Sequence, residues 1–116
     1  MDPVAAAVAL GPMIKAARED IQSRSALPDS LVEDMAQANL FQLFVPRAIG
    51  GPETDPVIAF RAVEELSKVD GSVGWCSFVA TAISMYSAWM PPKVAKELVG
   101  QPLDIRAAGS FRPTAD

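Results

Sequence analysis

Residues 71–90 read GSVGWCSFVATAISMYSAWM, and no charged side chain interrupts the run between Asp70 and Lys93. The stretch is too long and too poor in turn residues for one strand, so it predicts a buried central helix. Gly74, Ser77, Thr81, Ser84 and Ala88 recur at three- and four-residue steps and form a stripe of small side chains. Trp75, Phe78, Ala82, Met85 and Trp89 form a bulkier neighbouring stripe. A small stripe lets another backbone or a flat ligand come close, and a bulky stripe is expected to fill the core. Taken alone, these residues describe a core helix of an all-helical bundle.

Roughly 20 apolar residues also suffice to cross a bilayer. Here Ser72, Ser77, Thr81, Ser84 and Ser87 lie within the run, and neither a basic cluster nor an aromatic belt flanks it. The expectation is therefore no membrane partner. The chain has 116 residues, half of them hydrophobic and 21% charged, which places it among folded domains and not disordered ones. Its formal charge is −4, with Lys and Arg scattered singly, so nucleic acid is not an expected partner. Cys76 is the single cysteine, inside the apolar run, which suits a buried inert thiol and a reducing cytoplasm. The N-terminus MDPVAAAVAL puts Asp2 where a signal peptide needs basic residues, so no targeting segment is read.

The chain contains no histidine. That excludes a histidine general base, a histidine-containing triad and a histidine-ligated zinc within it. Neither P-loop, GxGxxG nor CxxC occurs, so no catalytic residue and no metal ligand is assigned.

Outward from the central run, Pro3–Ser25 reads as helix, with Val4, Val8, Met13, Ile14, Ala17 and Ile21 apolar. Pro12 inside it points to a start at Pro12, with the preceding residues as a loose arm. Pro28–Ala38 is a second helix carrying Leu31, Met35 and Ala38 inward, closed by a left-handed Asn39 with Leu40 folding back. Residues 40–55, LFQLFVPRAIGGPETD, form a loop broken by Pro46, Gly50, Gly51 and Pro52 and pinned by Leu43, Phe44 and Val45. Asp55 caps a third helix with Phe60, Val63 and Leu66 inward and Arg61–Glu65 and Glu64–Lys68 pairs outside. Glu64 and Glu65 are adjacent and diverge on a helix, which argues against a shared acid/base site. Asp70-Gly71 is expected to close this helix and Ser72 to cap the central one. Pro91-Pro92 ends the central helix, and Pro92–Val99 makes a short amphipathic helix closed by Gly100. Residues 103–111, LDIRAAGSF, read as extended; a single strand cannot satisfy its own hydrogen bonds, so it pairs with a partner chain or opens a β domain.

In order, Leu27-Pro28, Leu40-Phe41, Val45-Pro46 with Gly50-Gly51, the run Asp70-Gly71-Ser72-Val73-Gly74-Trp75, and AGSFRPT at 108–114 resemble the N-terminal helical domain of the acyl-CoA dehydrogenase superfamily. The last two runs look most like its flavin-dependent monooxygenase branch, which hydroxylates aromatic or polycyclic compounds with reduced flavin and oxygen. The resemblance implies an all-α bundle of that N-terminal type over 1–102, and over 103–116 the first strand and turn of a middle β domain. It implies a flavin cofactor, FAD or FMN, a small-molecule substrate, and the remaining domains of its own chain as partners. A homo-oligomer, a tetramer when complete, and a separate flavin reductase belong to the same expectation. Catalytic residues would then lie in a C-terminal domain outside these residues. Ser110, Phe111 and Thr114 match the strand end that approaches the flavin, and Trp75, Thr81 and Ser84 on the central helix would border the substrate. Some members of the branch carry a histidine where Ile83 stands. The dehydrogenase strand end usually reads Thr-Glu-Pro, against Phe111-Arg112-Pro113 here, so an acyl-CoA dehydrogenase is the alternative within this class. From another class stands a free-standing helical interaction module whose apolar stripe and unpaired strand bind a partner protein.

Overall fold

A computed structural model of the chain describes residues 2–100 and 102–109. The described residues form α1 (Pro3–Ala9), α2 (Gly11–Arg24), α3 (Asp29–Gln37), α4 (Pro56–Val69), α5 (Gly71–Ser84) and α6 (Pro92–Val99). Single 3-10 elements occupy Arg47–Ile49 and Met85–Trp89. The all-helical expectation holds, and no strand occurs among the described residues. Residues 104–109 have no regular secondary structure, and residues 110–116 of the expected strand and turn lie outside the described residues.

The segment before Pro12 is helix and not a loose arm. Asp2 accepts from the Val4 N–H at 3.2 Å, Pro3 takes the first turn, and Ala6 and Ala7 are buried where α1 packs on α4. The ladder runs on through Leu10, whose N–H donates to Ala6 O, while Pro12 falls in the first turn of α2, where its missing N–H costs nothing. Val8, expected inward, is exposed, because alanines make the close contact between the two helices.

Asn39 takes the left-handed conformation expected of it, at φ 62°. Its N–H reaches Ala36 O and that of Leu40 reaches Met35 O, the paired bonds of a Schellman closure, and Leu40 is fully buried. Asp55 caps α4 through the Val57 and Ile58 N–H groups. The inward residues of α4 are Ala59, Ala62 and Leu66, however, and Phe60 points outward. Glu65, not Glu64, pairs with Lys68. Asp70 is the cap of α5, accepting from the Ser72 and Val73 N–H groups, so Ser72 does not cap and Gly71 already belongs to the helix. The central helix is also shorter than its apolar run, since α5 stops at Ser84 and tightens into the 3-10 turn before Pro91.

One core gathers Ile14, Leu31, Met35, Leu40, Leu43, Leu66 and Val73 between the first five helices and the pinned loop. A smaller one joins Val45 and Ile49 to Ala95 and Val99 of α6. The loop between them is held as expected, with Leu43 O accepting from Thr54 N–H at 2.8 Å and Val45 O from Glu53 N–H at 3.0 Å. Gly51 lies against the Val45 carbonyl, leaving no room for a side chain.

Candidate functional site

The two stripes of α5 do the reverse of what their bulk suggests. Gly74, Ser77, Thr81 and Ser84 are buried, whereas Trp75, Phe78 and Trp89 are exposed. Small side chains let α5 sink against α4 at Gly74–Ser67 and against the backbone of the 40–41 loop. The Ser77 hydroxyl donates to Leu40 O, Thr81 Oγ1 contacts the same carbonyl at 3.5 Å, and Ser84 Oγ donates to Thr81 O at 3.0 Å. The Ser77 and Thr81 hydroxyls thus serve a loop carbonyl that no helix or sheet serves, whereas Ser84 back-bonds to a carbonyl of its own helix.

Thr81 and Ser84 therefore sit in the core, 3% and 1% exposed, while Trp75 lies on the opposite side of the helix at 65%. The three residues do not converge on one cavity among the described residues. Trp75 instead begins a row of rings: Trp75–Phe78 at 6.0 Å between centroids, Phe78–Phe60 at 6.5 Å, and Phe60–Phe44 edge-on at 6.2 Å. The flavin-approaching candidates Ser110, Phe111 and Thr114 lie outside the described residues.

A third face of α5 does line a cavity. Cys76, Val79 and Ala80, with Val32 of α3, Phe41 of the loop and Arg106–Ala108, line an open cavity of about 300 Å³. Its walls are apolar apart from Arg106 and the Cys76 thiol. Burial, with a smaller contribution from Asp70, pushes that thiol above its ordinary value and keeps it protonated at neutral pH. A larger hollow of about 850 Å³ meets it at Leu27 and Cys76, but Lys15, Arg18, Glu19 and Asp70 make that one a charged surface groove.

Two residues that the sequence reading passed over place the cavity's outer wall. Gln42 is 2% exposed, and its Oε1 accepts from Ile105 N–H at 3.0 Å while Nε2 faces Leu103 O at 3.5 Å and Asn39 Oδ1. A side-chain amide thus stands in for a neighbouring strand and satisfies the segment that has none. Arg106 Nη2 then reaches Glu33 Oε2 on α3 at 2.9 Å, and its Nε meets Asp104 Oδ1 at 3.1 Å. Both carboxylates hold the guanidinium proton, raising Arg106 further. Gly109 ends the wall against Ile83, where a Cβ would lie 2.7 Å from Cδ1. The sequence signal for Gln42 was one polar residue inside the apolar run LFQLFV; Arg106 had none, since its partner is 73 positions away.

No group of three metal-ligating side chains occurs among the described residues, and no helix there is long and apolar enough to cross a membrane. The cavity offers an apolar surface to a ring, and among the described residues it brings no acid/base pair together.

Residues 6–97 match the family described as acyl-CoA dehydrogenase, N-terminal domain. The chain is 25% identical over 105 residues to the flavin-dependent monooxygenase, oxygenase subunit HsaA, of Rhodococcus jostii, covering 90% of this chain and 28% of that protein. Its Mycobacterium tuberculosis counterpart is 30% identical over 97 residues, 84% of this chain and 24% of the relative. An indole-3-acetate monooxygenase of Acinetobacter baumannii is 27% identical over 99 residues, 85% and 25% respectively. The chain thus spans about a quarter of the length of the relatives it matches. The match over 6–97 takes in all of α1–α5 except the first turn of α1, with the loop that α5 packs on, and so the chain belongs to the acyl-CoA dehydrogenase family, through its N-terminal helical domain.

Proposed function

We propose that the chain is the N-terminal part of a flavin-dependent monooxygenase that hydroxylates an aromatic or polycyclic substrate with reduced flavin and oxygen. The observation that carries the reading is similarity over more than four fifths of the chain to proteins named as monooxygenases, two of them oxygenase subunits. An oxygenase subunit implies a separate flavin reductase, and we place the assembled enzyme in the cytoplasm as a homotetramer. Residues 103–116 open its middle β domain.

The flavin is FAD or FMN. The described residues offer it no phosphate cradle: they hold no glycine-rich loop before a helix and no basic cluster facing the apolar cavity, so its phosphates belong to other parts of the enzyme. They do fit a ring, because Val79, Ala80, Phe41 and Ala107 form an apolar wall; Ser110, Phe111 and Thr114 are proposed, from the family resemblance alone, to approach the flavin. When bound, the flavin supplies the electrons and activates oxygen. The chain's own residues orient the substrate and exclude water from the reacting atoms. Val79, Ala80 and Phe41 are the substrate-facing residues we propose from this geometry, with Thr81 and Ser84 anchoring the helix that bears two of them and Trp75 on its exposed side.

The test is the polypeptide purified from its source cells, mixed with aromatic substrates, oxygen and a flavin reductase. We expect a product several times longer than 116 residues that forms hydroxylated compounds. Oxidation of an acyl thioester without added reduced flavin would move the assignment to the dehydrogenase branch. The helical interaction module remains a second reading, favoured by the exposed ring row Phe60, Phe78 and Trp75, and a native product of only this length would select it.

A further inference from the structure

We infer that the cavity beside α5 selects a neutral ring compound over an anionic one, and that Glu33 and Asp104 set this selection by occupying Arg106; the inference rests on that cavity being the substrate site. Arg106 is the one formal charge among the described residues lining it. An arginine at the rim of an apolar cavity would ordinarily invite a carboxylate, since its planar fork matches one in two hydrogen bonds. Two of the three nitrogens of this fork, Nε and Nη2, are already engaged. Nη2 lies 2.9 Å from Glu33 Oε2 and Nε 3.1 Å from Asp104 Oδ1, with Nη2 also 3.5 Å from Asp104 Oδ2.

The local sum is one positive and two negative charges, so the rim presents net negative charge to whatever enters. At the other end, the hollow that meets the cavity at Leu27 and Cys76 carries Lys15 and Arg18 against Glu19 and Asp70, with Arg18 and Asp70 3.9 Å apart, so the charges there balance. They leave no compensating positive field. An anionic ligand must either displace a carboxylate from Arg106 or accept repulsion while losing its own hydration, and a neutral ring does neither. A volume of about 300 Å³ sits at the small end of ligand pockets and suits a one- or two-ring compound.

The experiment uses 2-naphthol and 2-naphthoate, one bicyclic ring with a neutral and an anionic substituent, in direct binding measurements on the intact protein at neutral pH. The naphthol is expected to bind more tightly, with the naphthoate deficit shrinking as salt rises. Polarity alone would disfavour naphthoate, so the deciding quantity is the affinity ratio in the double variant Glu33→Gln, Asp104→Asn. Freeing Arg106 should shift that ratio toward naphthoate by about tenfold, the scale of one unit charge a few ångströms away at a partly exposed site. Both substituted side chains are exposed, and thermal unfolding checks that the fold persists. Naphthoate binding at least as tightly in the unaltered protein, or a ratio unmoved in the double variant, overturns the inference. Val79→Phe, which fills the cavity from its half-buried wall, should weaken both ligands. If neither compound binds, the cavity is not the substrate site and the inference falls with it, while the hydroxylation assay still decides the monooxygenase reading by itself.

Discussion

Ser77 shows what a small polar residue does in this core. Its hydroxyl meets Leu40 O, a carbonyl in a loop where no helix or sheet partner exists. Ser77→Ala should cost about 1–2 kcal/mol in denaturant unfolding, the range for a buried acceptor losing its donor, although Thr81 Oγ1 at 3.5 Å can move in and lower the figure. Ser84 is 1% exposed, so enlargement to Phe overpacks the interface and should cost more than 1–3 kcal/mol instead of reshaping a pocket. An unfolding midpoint unchanged by both would put these side chains outside the core. Cys76 titrates on the neighbouring face. Its thiol is raised above the ordinary value by burial and Asp70, so the folded chain keeps a proton that the unfolded chain releases. Stability from this site is intact below the ordinary thiol value and is lost as pH rises through the higher folded one. Cys76→Ala should flatten the alkaline fall in stability; an identical alkaline limb would remove Cys76 as its cause. Asn39 and Asp55 were legible in the sequence because a turn conformation and a cap depend on neighbours two to five positions away. The partners of Ser77, Gln42 and Arg106 lie 37, 63 and 73 positions off, and local pattern does not reach them.

Helix ends were read to within a few residues wherever a residue type compels them, as at Pro56, Pro92 and Gly100. Errors arose where two neighbours compete for one role, as Asp70 and Ser72 do for the α5 cap. The carboxylate wins because it reaches two N–H groups at the positive end of the helix and Ser72 would reach from inside the first turn. Orientation of α5 was the harder question. Its apolar residues surround the helix, so periodicity located a stripe without saying which stripe faced inward. The α4–α5 contact gives the answer a measurable consequence. A Cβ on Gly74 would stand 2.9 Å from Ser67 Cβ and closer still to its Oγ, which is bonded to Val63 O at 2.7 Å. Alanine in a helix ordinarily gains up to about 1 kcal/mol over glycine, but the collision costs about 1–3 kcal/mol, so Gly74→Ala should destabilise. Gly71, with nothing within 4 Å of its would-be Cβ, is the internal control, and Gly71→Ala should be neutral or stabilising. Equal effects at both positions would mean that α4 and α5 are not in close contact.

Across the whole molecule, among the described residues, most of the largest side chains lie away from the deepest burial, Phe41 being the buried exception. Leu31, Met35, Leu40 and Leu66 are fully buried, whereas Phe60, Trp75 and Trp89 are 53%, 65% and 72% exposed. Transfer free energy scales with the area removed from water, so an aromatic left mostly in water contributes little to holding the chain together however large it is. A leucine with no exposed surface contributes its transfer term, and its truncation also leaves a cavity. Leu31→Ala should therefore cost about 2–5 kcal/mol, and Trp75→Ala under about 1 kcal/mol because its ring is mostly in water and its ring contact, with Phe78, lies at the surface. The two measured in parallel by denaturant unfolding compare the bulky stripe of α5 with the core that Leu31 of α3 fills. A Trp75 variant as damaging as the Leu31 variant would mean that the bulky stripe, as its size first suggested, is the one that fills the core. The expected order, with the leucine dominant, means that the exposed rings Phe60, Phe78 and Trp75 contribute little to the stability of these helices.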